Sequence, residues 1–403
     1  MVKSNPQIND DLIKQILTLR YSTTIKTQIP KLTWKSFVEK PSNTSAEFVE
    51  KTIINNIKNE ITDSKPSIAL SGGVDSTLML SLLKKAIPQS SPTAILVKFQ
   101  KSFDETKRAI RLANKFDIAH EVLYIENYLL ELPKAISIVK LPILDLHWYY
   151  VAKKARTLSK TILSGDGGDE LFGGYTFRYK KFLSLLKKDT TQQKILSYLK
   201  CHERDWVPDQ DQIFGKKTKF SWPQIYKIFE PYFNNQLAPL SQVFLADFNG
   251  KLRHNFSLVN TSINSYFKIK TVTPLISNSL LKYANHIPIH LKYDYKRNIG
   301  KLLLRQILAK EKIEKFVSST KQGFSIDTEN LWNSQGRKIC DYYLSDARTV
   351  QDGWISRGWI NKHRQSKELD VRYVNKFLGL LAFEIWYRLF ITKEMKNTTQ
   401  LDF

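Results

Sequence analysis

Ile68-Ala69-Leu70-Ser71-Gly72-Gly73-Val74-Asp75-Ser76-Thr77-Leu78-Met79-Leu80 sets two glycines and an aspartate between two apolar runs. An apolar run leads into a glycine turn, and a helical pattern leads out. A strand, a glycine turn and a helix in succession gather backbone N–H groups and a positive dipole end at one point, and that arrangement holds phosphate. The Walker pattern would need a Lys-Ser or Lys-Thr pair at the turn, whereas Asp75 stands here. A carboxylate beside a phosphate cradle makes sense with a divalent metal between them. The stretch therefore predicts a nucleotide–metal site of another kind.

Outward from this turn the pattern alternates. Apolar runs at 67–70, 93–99, 120–125 and 160–164 read as buried strands, and helical patterns fill 74–87, 103–116 and about 144–159. Strands apolar on both faces, separated by helices, predict an α/β fold with a parallel doubly wound sheet. Ligands then bind at the carboxyl ends of the strands, where Ser71 falls. Upstream, the apolar positions of 46–61 recur at helical spacing. From Thr176 onward no strand pattern is convincing. The expected organisation is an N-terminal extension (1–45), an α/β core (46–175) and a helical portion completing the cleft (176–403).

The chain has 403 residues, of which 42% are hydrophobic, enough for folded cores. Cys201 and Cys340 are its two cysteines, which excludes a disulfide scaffold or a zinc ribbon and makes a reducing compartment the default. The first residues lack a signal-peptide core. The apolar run 377–391 contains Glu384 and Arg388 and reads as a buried C-terminal helix, not a membrane span. A soluble, cytoplasmic protein without a membrane partner is expected. The net charge of +24 comes from lysines spread along the whole chain. There is no arginine-rich tail and no basic–aromatic alternation, so compositional drift is favoured over a nucleic-acid partner.

A second glycine cluster closes the fourth predicted strand: Leu163-Ser164-Gly165-Asp166-Gly167-Gly168-Asp169-Glu170-Leu171-Phe172-Gly173-Gly174-Tyr175. Asp75 and Asp169 then lie at the same sheet edge, where they could share Mg²⁺ completed by phosphate oxygens and water. The N–H groups of 72–76, with the Ser71 and Ser76 hydroxyls, would hold pyrophosphate. Such a site suits cleavage of ATP between its α and β phosphates.

The first motif resembles the pyrophosphate loop of the N-type ATP pyrophosphatases. The second resembles, nearly residue for residue, the signature of the synthetase domain of asparagine synthetase B and its relatives, among them β-lactam synthetases and lasso-peptide cyclases. Gly300-Lys301-Leu302-Leu303-Leu304-Arg305, Lys321-Gln322-Gly323-Phe324 and Ala382-Phe383-Glu384-Ile385-Trp386 match further family motifs, as does the stretch from Val97 to Asp104. The resemblance covers roughly residues 46 to 392. It implies ATP with its adenine near Leu70 and Val97, and its ribose and α-phosphate near Ser164 and Gly165. It implies Asp75 and Asp169 as Mg²⁺ ligands, and Ser71, Gly72, Gly73 and Ser76 as pyrophosphate-binding residues. Lys321 would neutralise developing charge, and Asp166, where the family usually has Glu, could orient the attacking amine. Glu170 would support the loop, and His120 and His147 read as packing or rim residues.

The resemblance implies an ATP-dependent ligase. A carboxylate is activated as an acyl-adenylate and attacked by ammonia or an amine, converting aspartate to asparagine or a related substrate. Three departures modify that expectation. Position 2 is Val2 and only about 65 residues precede the first motif, so no glutaminase domain fits there. Nitrogen would come from free ammonia, from a separate amidotransferase subunit or from another amine. Around Pro274 the family's Glu, Arg and Asp are replaced, and 144–150 is aromatic and lacks the family's Arg. Losing a bidentate carboxylate binder is not neutral, which makes aspartate a doubtful substrate. A tRNA-modifying ATPase of the same superfamily is the alternative.

Overall fold

A computed structural model of the protein describes residues 8–41, 44–100, 106–317, 327–366 and 368–402. At its centre is a five-stranded parallel sheet in the order β3-β2-β1-β4-β5. The strands are β1 (Ser67–Ala69), β2 (Thr93–Phe99), β3 (Ala119–Ile125), β4 (Thr161–Leu163) and β5 (Lys270–Val272). The four strands and the parallel arrangement expected from the apolar runs are present. β5 is a departure from the expectation that no strand follows Thr176. It pairs with β4 through Thr161↔Lys270, Ile162↔Thr271 and Leu163↔Val272. As a three-residue edge strand it buries only Val272 fully, so no apolar run announces it.

Helices cover both faces because successive strand residues point to opposite sides. Ile95 and Ile162 pack with Ala152 and Ala155 of α6 (His147–Leu158) on one face. Ala94, Leu96 and Leu163 pack on the other with α2 (Ala46–Glu60), α3 (Val74–Ala86) and the helix Leu302–Lys310. Ser45 caps α2 by accepting from the N–H groups of Glu47 and Phe48, the usual part of a serine at a helix start.

The chain between β4 and β5, residues 164–269, is the helical body of the molecule, with an aromatic core around Tyr179, Phe182, Tyr198, Phe229, Phe233 and Phe244. The expected C-terminal helix is present as Val371–Phe390, with Phe377, Phe383 and Trp386 fully buried. Against it packs α1 (Asp10–Leu19), whose Ile13, Ile16 and Leu17 are buried in the same core. Among the described residues no helix is long and apolar enough to cross a membrane.

Candidate active site

β1 ends one residue before Leu70, and α3 begins at Val74, so Ser71, Gly72 and Gly73 form the connecting turn. Gly72 takes φ +73°, a left-handed conformation that favours glycine. The turn is tied by its own hydroxyls. Ser76 Oγ accepts from Ser71 N–H at 3.2 Å and lies 3.1 Å from Ser71 Oγ, which in turn accepts from Gly73 N–H at 3.3 Å. The first turn of α3 thus opens toward solvent at the carboxyl edge of the sheet, with Asp75 in it.

β4 delivers Ser164 and Gly165 to the same edge, and Ser164 N–H is held by Val272 O at 3.0 Å. α7 (Gly168–Phe172) follows and carries Asp169 in its first turn. The two loops touch because glycines let them. A Cβ on Gly168 would stand 2.4 Å from Asp75 Cγ, and one on Gly174 would stand 1.7 Å from Asp169 Oδ1. Gly168 and Gly174 thus make room for the two carboxylates, whereas Gly167 and Gly173 make room for Ile276 and Phe244. Gly174→Ala is expected to displace Asp169 and to cost about 1–3 kcal/mol of stability, read from the urea midpoint, while the circular dichroism spectrum keeps its helical shape.

Asp75 and Asp169 converge on one cation, the ammonium of Lys301, which lies 2.5 Å from Asp75 Oδ2 and 2.6 Å from Asp169 Oδ1. Lys301 is only 7% exposed. Burial works against its charge, but the carboxylates of Asp169 and Asp75 outweigh it and hold the ammonium protonated well above its ordinary range. A hairpin of β6 (Tyr293–Asp294) and β7 (Ile299–Gly300) delivers it to the start of Leu302–Lys310.

One cation between these oxygens shows that the pair can share an ion. Among the described residues no group of three or more His, Cys, Asp or Glu could hold a metal. A metal at Asp75 and Asp169 would thus take its remaining ligands from phosphate and water, which is the coordination habit of Mg²⁺.

The cleft beside the loops has a volume of about 790 Å³, and its lining includes Ser71, Gly73, Asp75, Ser76, Ser164, Gly165, Asp166 and Asp169. Leu70 and Val97 are not among the lining residues. Leu70 is fully buried beneath the turn and Val97 is half-buried in the opposite face, whereas Ala69 does line the cleft. Lys321 lies outside the described residues, as do residues 101–104 of the adenine-side match. Asp166 accepts from Asn260 Nδ2 at 2.9 Å. Burial pushes its carboxyl up; hydrogen bonds from Ser164 and Asn260 oppose this, and the charges of Asp75 and Asp169 add to it. The two departing segments also reach the cleft region. Ile276 packs against the second loop, 2.2 Å from where a Gly167 Cβ would be, and Leu144, Asp145, His147 and Trp148 line the wall.

That wall holds residues the sequence pattern did not single out. Arg20, at the end of α1, pairs with Asp145 and, at 2.9 Å, with Asp205. Arg178 pairs with buried Asp247 at 2.6 Å, and Lys251 lines the cleft from a π-helical segment, Phe248–Phe256. Their positions come from tertiary packing, and neither motif nor periodicity signals them. Lys301 did lie in a recognisable Gly-Lys motif, but its contact with both acids had no local sign. Glu170 is buried and hydrogen-bonded by Tyr175 within the second loop, and half-buried His120 is on β3.

Two acidic glycine loops meeting at the carboxyl edge of a parallel sheet define a nucleotide-binding α/β protein. The chain belongs to the asparagine synthase family, an ATP-dependent ligase family, whose model matches residues 57–388. It is similar to asparagine synthetase [glutamine-hydrolyzing] 1 of Bacillus subtilis, with 25% identity covering 80% of this chain and 56% of that protein. It is also similar to a putative asparagine synthetase [glutamine-hydrolyzing] of Mycobacterium tuberculosis, with 33% identity over 29% of this chain and 18% of that protein. The chain thus spans about half the length of the first of these relatives. Among solved structures, the NH3-dependent NAD synthetase of Campylobacter jejuni matches at 15% identity and a TM-score of 0.26, covering 48% of this chain and 98% of that one. A likeness that slight leaves the assignment to the sequence match.

Proposed function

We propose that the chain is an ATP-dependent amide-forming ligase: a carboxylate attacks the α-phosphorus of ATP, pyrophosphate leaves, and ammonia or an amine displaces AMP from the acyl-adenylate. The observation that carries this reading is the convergence of Asp75 and Asp169 on a single cation at the phosphate turn. The turn N–H groups and the Ser71 and Ser76 hydroxyls bind the leaving pyrophosphate. Mg²⁺, when held by Asp75 and Asp169, would supply neutralisation of the charge developing on it. Ser164 and Gly165 fix the ribose and α-phosphate, with the adenine toward Ala69, the lining residue beside buried Leu70. Lys321 balances the transition-state charge.

Asp166, held by Asn260, orients the amine. Its folded value is raised, so ionisation costs the fold: that stability is fully present below the unfolded value and lost as pH rises through the folded one. Asp166→Asn is therefore expected to unfold at a higher temperature than wild type at pH 7. The difference should vanish below about pH 4, as thermal melts across pH would record. The same variant should form amide at least tenfold more slowly.

The cleft draws residues from both 46–175 and 176–403, as a helical portion completing the cleft requires, while β5 carries the sheet itself beyond residue 175. The acyl substrate enters along the Arg20, Asp145 and Lys251 wall. Aspartate or a related carboxylate is activated there, with nitrogen from ammonia, an amine or a partner amidotransferase chain. Against the tRNA-modifying reading stand the cysteines. Both are buried, and burial pushes the Cys201 thiol up to about 12 and Cys340 well above its ordinary value, the opposite of a sulfur-transfer thiol. The test is hydroxylamine trapping with ATP and a panel of carboxylates. Hydroxamate and AMP in equal amounts support the reading; ADP as the nucleotide product, or tRNA-dependent AMP release without carboxylate, overturns it.

A further inference from the structure

Building on that reading of the site, we propose that Lys301 is a built-in counter-ion that exchanges with the divalent cation: without nucleotide its ammonium keeps the metal position closed, and it leaves the carboxylates for phosphate when nucleotide and metal enter together. Three observations lead to this. First, Nζ lies 2.5 Å from Asp75 Oδ2 and 2.6 Å from Asp169 Oδ1, so it occupies the two carboxylates that a shared metal would need. Mg²⁺ binds oxygen at about 2.0–2.1 Å. An ammonium and a dication held on the same two carboxylates would be in direct contact with like charge, inside a site that leaves Lys301 only 7% exposed. The two occupants exclude each other.

Second, the lysine backbone is fixed, so exchange requires only its side chain to move. Lys301 N–H donates to Phe172 O at 3.0 Å, and a Cβ on Gly300 would fall 1.9 Å from Gly173 O, which packs the preceding residue flat against the second loop. Lys301 itself holds φ +60°, an uncommon conformation for a residue with a side chain, at the start of Leu302–Lys310. The carboxylates facing the ammonium come from two elements, Asp75 from the first turn and Asp169 from the second, and Arg305, one turn along the lysine's own helix, lines the same cleft.

Third, the turn beside the carboxylates could supply the ammonium with a second acceptor once polyphosphate binds there. Asp75 sits in the first turn of α3, whose N–H groups form the phosphate cradle, so polyphosphate bound there places anionic oxygens next to Nζ. Two half-buried carboxylates facing each other without a cation would repel; Lys301 relieves that repulsion when no nucleotide is bound. Metal alone offers the ammonium nowhere to go, whereas nucleotide does. Lys301 is thus a positioning residue that makes metal uptake conditional on nucleotide.

The test is Mn²⁺ binding, read from the loss of the free-ion electron paramagnetic resonance signal, with no carboxylate substrate and no turnover. Wild-type protein should take up no Mn²⁺ below about millimolar concentration when nucleotide is absent. Lys301→Met and Lys301→Gln should each bind Mn²⁺ alone at least tenfold more tightly. That gain should vanish when Asp169→Asn is added, an outcome that a purely structural lysine would not produce. With α,β-methylene-ATP, wild type should bind the ion and the Lys301 variants should hold nucleotide more weakly. Micromolar Mn²⁺ binding to wild type alone overturns the proposal and is readable even if neither variant folds. So does equal binding by wild type and folded variants. If wild type binds neither nucleotide nor metal–nucleotide, the adenylating reading falls with it; if it binds both without the exclusion, only this inference falls.

Discussion

Asp169→Asn is expected to lower ATP–pyrophosphate exchange roughly a thousandfold, equivalent to about 4 kcal/mol of transition-state stabilisation. Asparagine has the shape of aspartate, so the second loop can close as before over Gly174, but one of the two negative charges that fix a shared cation is lost. The loss should fall mainly on kcat, because charge on the departing pyrophosphate grows as the bond breaks. Asp75→Asn should behave alike. Neither change is expected to lower stability much. Lys301 would keep one carboxylate partner, so the variant exchanges two anions around one cation for a matched pair. A variant that unfolds instead of losing exchange would show that the acidic pair serves the fold.

The second large effect lies away from the cleft. Glu384 is fully buried and accepts four hydrogen bonds: from Arg348 N–H at 2.9 Å, Thr349 N–H at 3.0 Å, Thr349 Oγ1 at 2.8 Å and Arg388 Nε at 2.7 Å. The short helix Arg348–Gln351 has Ala347 at its N-cap, which offers no side-chain acceptor, and Glu384 satisfies its first N–H groups from another element. Glu384→Ala leaves these donors and a guanidinium without their acceptor in a closed interior, at a cost of about 3–5 kcal/mol. The urea midpoint should fall accordingly, while exchange per folded molecule stays within about twofold, since Glu384 is not among the residues lining the cleft. Normal stability with abolished exchange would contradict this. The Glu-x-Trp pattern is then a fold motif: Trp386, two residues on, donates to Lys140 O at 3.0 Å and is also fully buried.

How much of this was legible depends on where the information lay. The meeting of Asp75 and Asp169 could be read because each follows a buried strand at a short, fixed offset, and parallel strands bring their carboxyl ends to one edge. The glycine content of 163–175 announced close approach, although not that its object was a pair of side chains. β5 could not be read: an edge strand of three residues beginning Lys-Thr carries almost no hydrophobic signal. Nor could Lys301's position, which depends on a two-stranded hairpin and on Gly300 fitting against Gly173. Residues 10–20 are polar in outline but place Ile13, Ile16 and Leu17 on one helical face, and so reach the core and carry Arg20 to the cleft wall. Asn260 gave no signal, being one asparagine among many on a helix whose contact with Asp166 exists only after folding.

The central claim, that the two acidic loops adenylate a carboxylate, is tested most directly by exchange of labelled pyrophosphate into ATP across a panel of carboxylates that includes aspartate. Exchange should require one carboxylate and a divalent cation, and Asp75→Ala and Asp169→Ala should each abolish it. Undiminished exchange in both variants, with the same carboxylate and at the same rate as wild type, would contradict it.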